Sequence, residues 1–296
     1  MMLTAKIAVN PLPWVLGADG FDLSPATVTA AVAGIADAGF TAMHADVPDG
    51  MEVAVYRTLL SDHGVRPAPG YFAGDFDAPA DGLPGLFEAA RRHAGVQAEL
   101  GLTEVFLASH LNPARVGAPA IGAGFDATRL GLVIERIAAV AGAITAEGVT
   151  PCFHPHVGSW IETEHEVRAL LDSVDASILS FGPDTGHLFW AGMDPAAVIA
   201  DYVQRVRAVH LKDVHRQAAA RAREQGEDYL GATVTEHVWT EPGRGDVDLR
   251  AVFAALPSYQ GWFVVEVDVP DLPTKEESTA QSARWILAQP ERAASA

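Results

Sequence analysis

Imidazoles and carboxylates recur where short apolar runs stop: His154 in PCFHPHVGSWIE, Asp184 in SFGPDTGH, His210 in VRAVHLKDVH and Glu266 in WFVVEVDVP. Oxygen and imidazole donors with no thiolate among them suit a hard or borderline divalent cation, Mn, Mg, Co or Zn, better than copper. Asp184, His210 and Glu266 supply three such ligands from three successive predicted strands. The fourth is expected from the segment before them, which offers His154, His156 and Glu162. Glu162 is preferred, because a third carboxylate balances a dication better than a second imidazole; His154 is the runner-up. Each residue also has an ordinary reading. Asp184 can cap a helical turn starting at TGHLFW, accepting from the amide of Gly186 or His187. Glu266 is harder to explain that way, since an ionised carboxylate ending the run WFVV needs a positive partner.

Proton transfer has its own candidates. Lys212 follows His210 by two residues, and His156 follows His154 by two, so each pair shares one side of an extended chain. His154, His156 and Lys212 are therefore candidate acid and base groups, with the lysine pKa expected to fall beside a cation. An ion pair of Lys212 with Asp213 or an acidic lid residue is the alternative. His187, three residues after Asp184, is placed to orient substrate, and His44 and His110, which end the second and fourth strands, could touch it.

A metal site of this kind needs strands that end together. KIAVNP, FTAMHAD, VRPAPGYFA, TEVFLAS, VTPCFHP, ASILSFG, VRAVHLKD and GWFVVEVD read as strands, separated by runs with helical spacing such as SPATVTAAVAGIADAG and ATRLGLVIERIAAVAGAITAEG. Runs such as VTPCF and WFVVEV are apolar throughout rather than alternating, as in parallel strands covered on both faces. About eight strand and helix pairs predict an α/β fold, a closed (β/α)8 TIM barrel, whose catalytic face lies at the C-terminal ends of the strands. A doubly wound open sheet competes, but NPLPW stands where a glycine-rich dinucleotide loop would follow the first strand. Residues 110–124 and 215–246 are long interruptions on that catalytic face; the second is long enough to act as a lid.

With 296 residues and 49% hydrophobic content, one barrel domain spanning 1–296 is expected, with PERAASA as a frayed tail. A net charge of −18 argues against nucleic acid and anionic lipid as partners. The single cysteine, Cys152, excludes an internal disulfide framework and reads as a buried inert thiol. No secretory signal or membrane span is visible, so the expected location is the cytoplasm. The Arg244, Gly245, Asp246 triplet reads as a turn.

Together NPLPW, HPHVGSWIETEHEV, DTGHLFWAGMDP, HLKDV, EPGRGDVDL and GWFVVEVD resemble, over essentially the whole chain, the xylose-isomerase-like sugar isomerase and epimerase superfamily and, within it, the inosose dehydratase branch. DTGH and HLKD are common to the superfamily, whereas NPLPW, HPHVGSWIET and DTGHLFWAG are more particular to the branch. The resemblance implies a divalent metal, usually Mn or Co, at Asp184, His210 and Glu266, and a keto-polyol or keto-sugar substrate, with Trp14 of NPLPW as a further substrate contact. Many superfamily members have glutamate where this chain has His154, and many use a glutamate in the second strand, which reads MHADVP here. The implied chemistry is removal of the proton beside a ketone to give an enediolate, followed by loss of a β-hydroxyl (dehydration) or return of the proton from the other face (epimerisation). A third outcome, cleavage as in C-glycoside deglycosidases, would need a small β-subunit. Relatives often form homo-oligomers. A non-catalytic sugar-binding barrel is the reading from a different class.

Overall fold

A computed structural model of the chain describes residues 6–17 and 20–289, so the tail PERAASA lies outside the described residues. Eight parallel barrel strands follow one another in sequence: β1 Lys6–Val9, β2 Ala42–His44, β3 in two pieces (Arg66–Ala68 and Tyr71–Gly74), β4 Glu104–Ser109, β5 Thr150–Phe153, β6 Ser180–Phe181, β7 Ala208–Leu211 and β8 Trp262–Val265. Strands β7, β8, β1, β2 and the first piece of β3 form one ladder, and the second piece of β3 with β4, β5 and β6 forms the other. Parallel bridges from Phe181 to Val206 and from Asp184 to His210 join β6 to β7. The ring therefore closes through the continuous chain of β3 on one side and through the Asp184–His210 bridge on the other.

The break in β3 has a chemical cause. The stretch reads RPAPGY, and each proline lacks the N–H that a ladder needs. Gln97 repairs the gap from the helix Leu83–Glu99: its side chain accepts from the Gly70 N–H at 2.9 Å and donates to the Ala45 carbonyl at 3.3 Å. Gly70 is required by close approach, because a Cβ there would stand 2.5 Å from Gln97 Nε2 and 2.6 Å from the Ala45 oxygen. Gln97→Leu leaves both backbone groups buried without partners, so a loss of about 1–3 kcal/mol is expected in urea unfolding. A change under about 0.5 kcal/mol would contradict this role.

Side chains alternate across each strand, and the inward set fills the lumen. Ala8, Ala42, Ala68 and Ala208 face the bulkier Phe106, Cys152, Trp262 and Val264, with Tyr71 packed against them. Small residues on four strands thus leave room for aromatic rings from the others. A larger apolar cluster lies between the strands and the outer helices.

The long interruption after β7 folds as an insertion with elements of its own. Residues 215–246 hold a helix, Arg216–Gln225, ended by Gly226 at φ 70°, then a π-helical turn at Gly231–Thr235 and a strand, Trp239–Thr240, antiparallel to Asp213–Val214. Asp213 anchors the return of this insertion, accepting from the N–H groups of Gly243, Gly245 and Val247 at 2.8, 3.0 and 3.1 Å. Arg244 pairs with Glu241 and Asp271 within that turn. Among the described residues no helix is long and apolar enough to cross a membrane.

Candidate functional site

The alternation that fills the lumen also builds the site. Two residues beyond an inward-facing lumen residue lies the next inward-facing position, now at the C-terminal mouth. Ala8 leads to Asn10, Ala42 to His44, Cys152 to His154, Ala208 to His210 and Val264 to Glu266. His154, Asp184, His210 and Glu266 are 1, 0, 0 and 5% exposed. One atom each of His154, Asp184 and His210 fall within 4.8 Å of one another. His210 Nδ1 lies 3.0 Å from Glu266 Oε2 and 3.8 Å from Asp184 Oδ2, and in neither case along the line of a hydrogen bond. Phe106 floors the cluster, its ring 3.9 Å from that of His210.

Asp184 is the helix cap that the ordinary reading expects. Its Oδ1 accepts from the His187 N–H at 2.7 Å and so caps the short helix Thr185–Trp190. Its Oδ2 has no hydrogen-bond partner, and neither do both ring nitrogens of His154 and His210. Five buried polar atoms on three residues thus lack a hydrogen-bond partner, and such an atom costs about 1–3 kcal/mol unless something satisfies it. Burial pushes the Asp184 carboxyl up to about 7 against the pull of Lys212. Burial would raise Glu266 too, but His210 and Lys212 hold it well below the usual carboxylate range. A divalent cation fits this donor set: carboxylate oxygen and imidazole nitrogen, two of the residues neutral, with lone pairs unclaimed.

Lys212 differs from expectation. It is fully buried, with Nζ 2.5 Å from Glu266 Oε1, 2.7 Å from Asp268 Oδ1 and 3.7 Å from Asp184 Oδ2. Burial alone would lower its pKa, yet Asp268, Glu266 and Asp184 carry it well above the ordinary lysine value. Asp213 is not its partner, being turned instead to the backbone of the insertion. The Trp239 ring lies 4.5 Å from the ammonium, a cation–π contact from the insertion. Gly186 lets the lysine pass: a Cβ there would stand 2.7–3.0 Å from its aliphatic carbons. Gly186→Ala is expected to displace Lys212 and cost about 1–3 kcal/mol in thermal or urea unfolding, an unchanged midpoint arguing against the contact.

His156 and His187 stand beside His154, with ring centroids 5.8 and 5.7 Å from it and 3.8 Å from each other. Burial holds His156 down at about 4 and His187 well below its usual value, so both are neutral bases. His187 Nδ1 faces the Val157 N–H at 3.2 Å and its Nε2 faces Lys212 Nζ at 3.2 Å; one lone pair can serve only one of these donors. His44 is buried at the mouth, 3.3 Å from Asp46, with its ring 6.1 Å from His210.

Three expected residues are elsewhere. Glu162 is buried but saturated, pairing with Arg115 at 3.0 Å and accepting from the N–H groups of Ala120, Gly122 and Gly158 at 3.1, 2.9 and 2.8 Å. No lone pair is turned to the cluster, and His154 occupies the place meant for it. Trp14 packs between the helices Pro25–Asp37 and Lys275–Leu287, its Nε1 donating to Thr279 at 3.1 Å and its ring filling the space above Gly34. His110 ends β4 with its side chain exposed, outside the buried group.

The sequence reading missed four contributors. Asn10 donates to Glu266 Oε2 at 2.6 Å. Asp268 pairs with Lys212, and Tyr229 from the insertion donates to Asp268 at 3.3 Å while its ring stands 5.8 Å from His156. Trp239 backs both Lys212 and His187, the latter at 4.9 Å between centroids. The two-residue step that located Lys212 from His210 also leads from Glu266 to Asp268 and from Ala8 to Asn10.

A family model described as xylose isomerase-like TIM barrel matches residues 32–289 of the chain. Among curated proteins, inosose dehydratase of Geobacillus thermodenitrificans is 37% identical over 139 residues, 46% of this chain and 46% of that protein. The matched stretch thus spans about half the length of that relative. Among solved structures, the probable 3-DHS dehydratase involved in petrobactin synthesis from Bacillus anthracis superposes with a TM-score of 0.72 at 11% identity, covering 96% of this chain and 99% of that one. The IOLI protein with a bound zinc atom gives 0.69 at 13% identity, covering 95% and 96%. At such identities the two structures establish the shared fold.

Proposed function

Because this chain belongs to the xylose isomerase-like TIM barrel family, we propose that it is a divalent-metal-dependent enzyme acting on a keto-polyol or keto-sugar, with dehydration of an inosose-like substrate as its reaction. The observation that carries this reading is the set of unpartnered buried donors on His154, Asp184 and His210, with Glu266 adjoining. Those four residues would hold the ion, and Mn suits their mixed oxygen and nitrogen donors. When bound, the ion supplies Lewis acidity that stabilises negative charge on a substrate carbonyl oxygen.

The chain's own groups divide the proton work. His156 keeps its lone pair at Nε2, because Nδ1 donates to the Val157 carbonyl at 2.7 Å, and it is the most open of the three clustered imidazoles. Nε2 takes the proton from the carbon beside the ketone. Lys212 Nζ, charged and pinned by Glu266 and Asp268, gives a proton to the departing β-hydroxyl, which leaves as water. Tyr229 and Trp239 close the mouth from the insertion and limit solvent access. Asn10 steadies Glu266 through its 2.6 Å bond.

Epimerisation is the second reading, since the same deprotonation followed by reprotonation needs no leaving group and a second imidazole, His187, stands 3.8 Å from His156 between ring centroids. NMR of the purified Mn-loaded protein with inosose in deuterium oxide separates the two. Loss of the substrate signals into an unsaturated product supports dehydration. Deuterium at the α-carbon without water loss supports epimerisation, and no change in the spectra contradicts both.

A further inference from the structure

A second group of donors stands beside the first and contains no carboxylate. His154, His156 and His187 each place one ring nitrogen within 4.8 Å of the others. We propose that these three imidazoles form a second cation position, sharing His154 with the carboxylate-bearing group of Asp184, His210 and Glu266, that takes nitrogen-preferring divalent ions such as copper, zinc or nickel.

Several observations support the assignment. His154 is 1% exposed, neither of its ring nitrogens has a hydrogen-bond partner, and one of them lies within 4.8 Å of ring nitrogens of His156 and His187. His156 donates from Nδ1 to the Val157 carbonyl at 2.7 Å, which fixes the tautomer and leaves Nε2 free. A ring N–H held by a backbone carbonyl in this way is the arrangement metal-binding imidazoles commonly use. The one lone pair of His187 can accept from only one of two long contacts, the Val157 N–H at Nδ1 or Lys212 Nζ at Nε2, each at 3.2 Å, so little is lost when it turns to a cation. Three nitrogen donors without oxygen favour the later first-row ions over Mn and Mg. His154 belongs to both groups and has one lone pair when neutral, so the two positions draw on a common ligand.

The test is a binding measurement in a chain stripped of the carboxylate donors, which makes it independent of whether the proposed reaction occurs. In the Asp184→Asn, Glu266→Gln double variant the amide at position 184 can still cap its helix. Electron paramagnetic resonance with added Cu(II) should show one bound ion per chain with splitting from three nitrogens. Adding His156→Ala should reduce Cu(II) affinity by at least about a hundredfold and remove the three-nitrogen pattern. Circular dichroism establishes that each variant is folded before the spectra are compared. Folded double variant that binds no Cu(II), or Cu(II) binding that His156→Ala leaves unchanged, overturns the assignment. Should the double variant not fold, the single variant His156→Ala against the native chain gives the same comparison: loss of a Cu(II) signal with three nitrogens supports the position, and an identical spectrum overturns it.

Discussion

Glu266→Gln should abolish tight binding of one divalent ion and lower turnover of a keto-polyol by more than about a hundredfold, while the barrel stays folded. Outer-shell partners of metal ligands already cost about 10–100-fold when removed, so a direct ligand must cost more. Glutamine keeps the shape and still bonds to Asn10 but offers no negative charge, and the carboxylate it replaces is held ionised by His210 and Lys212. Lys212 retains Asp268 at 2.7 Å, so its ammonium is not left alone. Metal content by plasma mass spectrometry, with turnover by NMR, checks both halves. Normal metal content with lost turnover would assign Glu266 to proton chemistry instead, and unfolding in a chain that never held metal would favour the non-catalytic barrel.

Arg115→Met should give the largest loss of stability of any single change considered, about 3–5 kcal/mol at neutral pH. Arg115 is 1% exposed and lies 3.0 Å from Glu162 and 2.5 Å from Glu166, so its removal strands two buried carboxylates. The consequence reaches the site, because Glu162 also holds the Gly158 N–H that follows His156. The pH dependence has a definite sign. Burial would raise Glu166, but its bonds to Arg115 and the Thr163 N–H bring it below the ordinary glutamate value. In the native chain this stabilisation is present above the unfolded glutamate pKa, near about 4.3, and is lost as pH falls through the lower folded value. Without Arg115 burial dominates, so the destabilisation should be greatest at neutral pH and shrink as Glu166 protonates. Urea unfolding of both chains between about pH 7 and pH 4 measures it. Adding Glu162→Gln and Glu166→Gln should recover part of the loss, because no charge then remains buried alone. A variant within about 1 kcal/mol of native stability across that range would contradict the arrangement.

The barrel and most of the mouth were legible because period-two alternation carries an inward residue past the end of a strand to another inward residue. His154, His210, Glu266 and Lys212 come together for that reason, and the structure brings Asp184 to them through its bridge to His210. Charge-balance reasoning failed at Glu162. It treated carboxylates as free, whereas a residue 47 positions away, Arg115, reaches across from another loop and claims this one. Nothing local in HPHVGSWIE announces such a partner. The packing of Trp14, given as a substrate contact by the resemblance alone, was not legible either: the glycine at position 34 opens a slot for its ring between two helices. Asp268 and Asn10 were readable by the same two-residue step and were overlooked, while Tyr229 and Trp239 depend on how the insertion folds back, which spacing along the chain does not encode. The raised pKa of Lys212 likewise rests on Asp268, Glu266 and Asp184 together, none of which was named as its ion-pair partner.

The most direct test is a crystal of the protein soaked in Mn(II), with data collected at the manganese edge. One anomalous peak is expected at the mouth of the barrel, about 2.0–2.3 Å from a ring nitrogen of His154 and of His210 and from a carboxylate oxygen of Asp184 and of Glu266. A peak coordinated instead through Glu162, or no peak at the barrel mouth in a folded, Mn-saturated crystal, would contradict it.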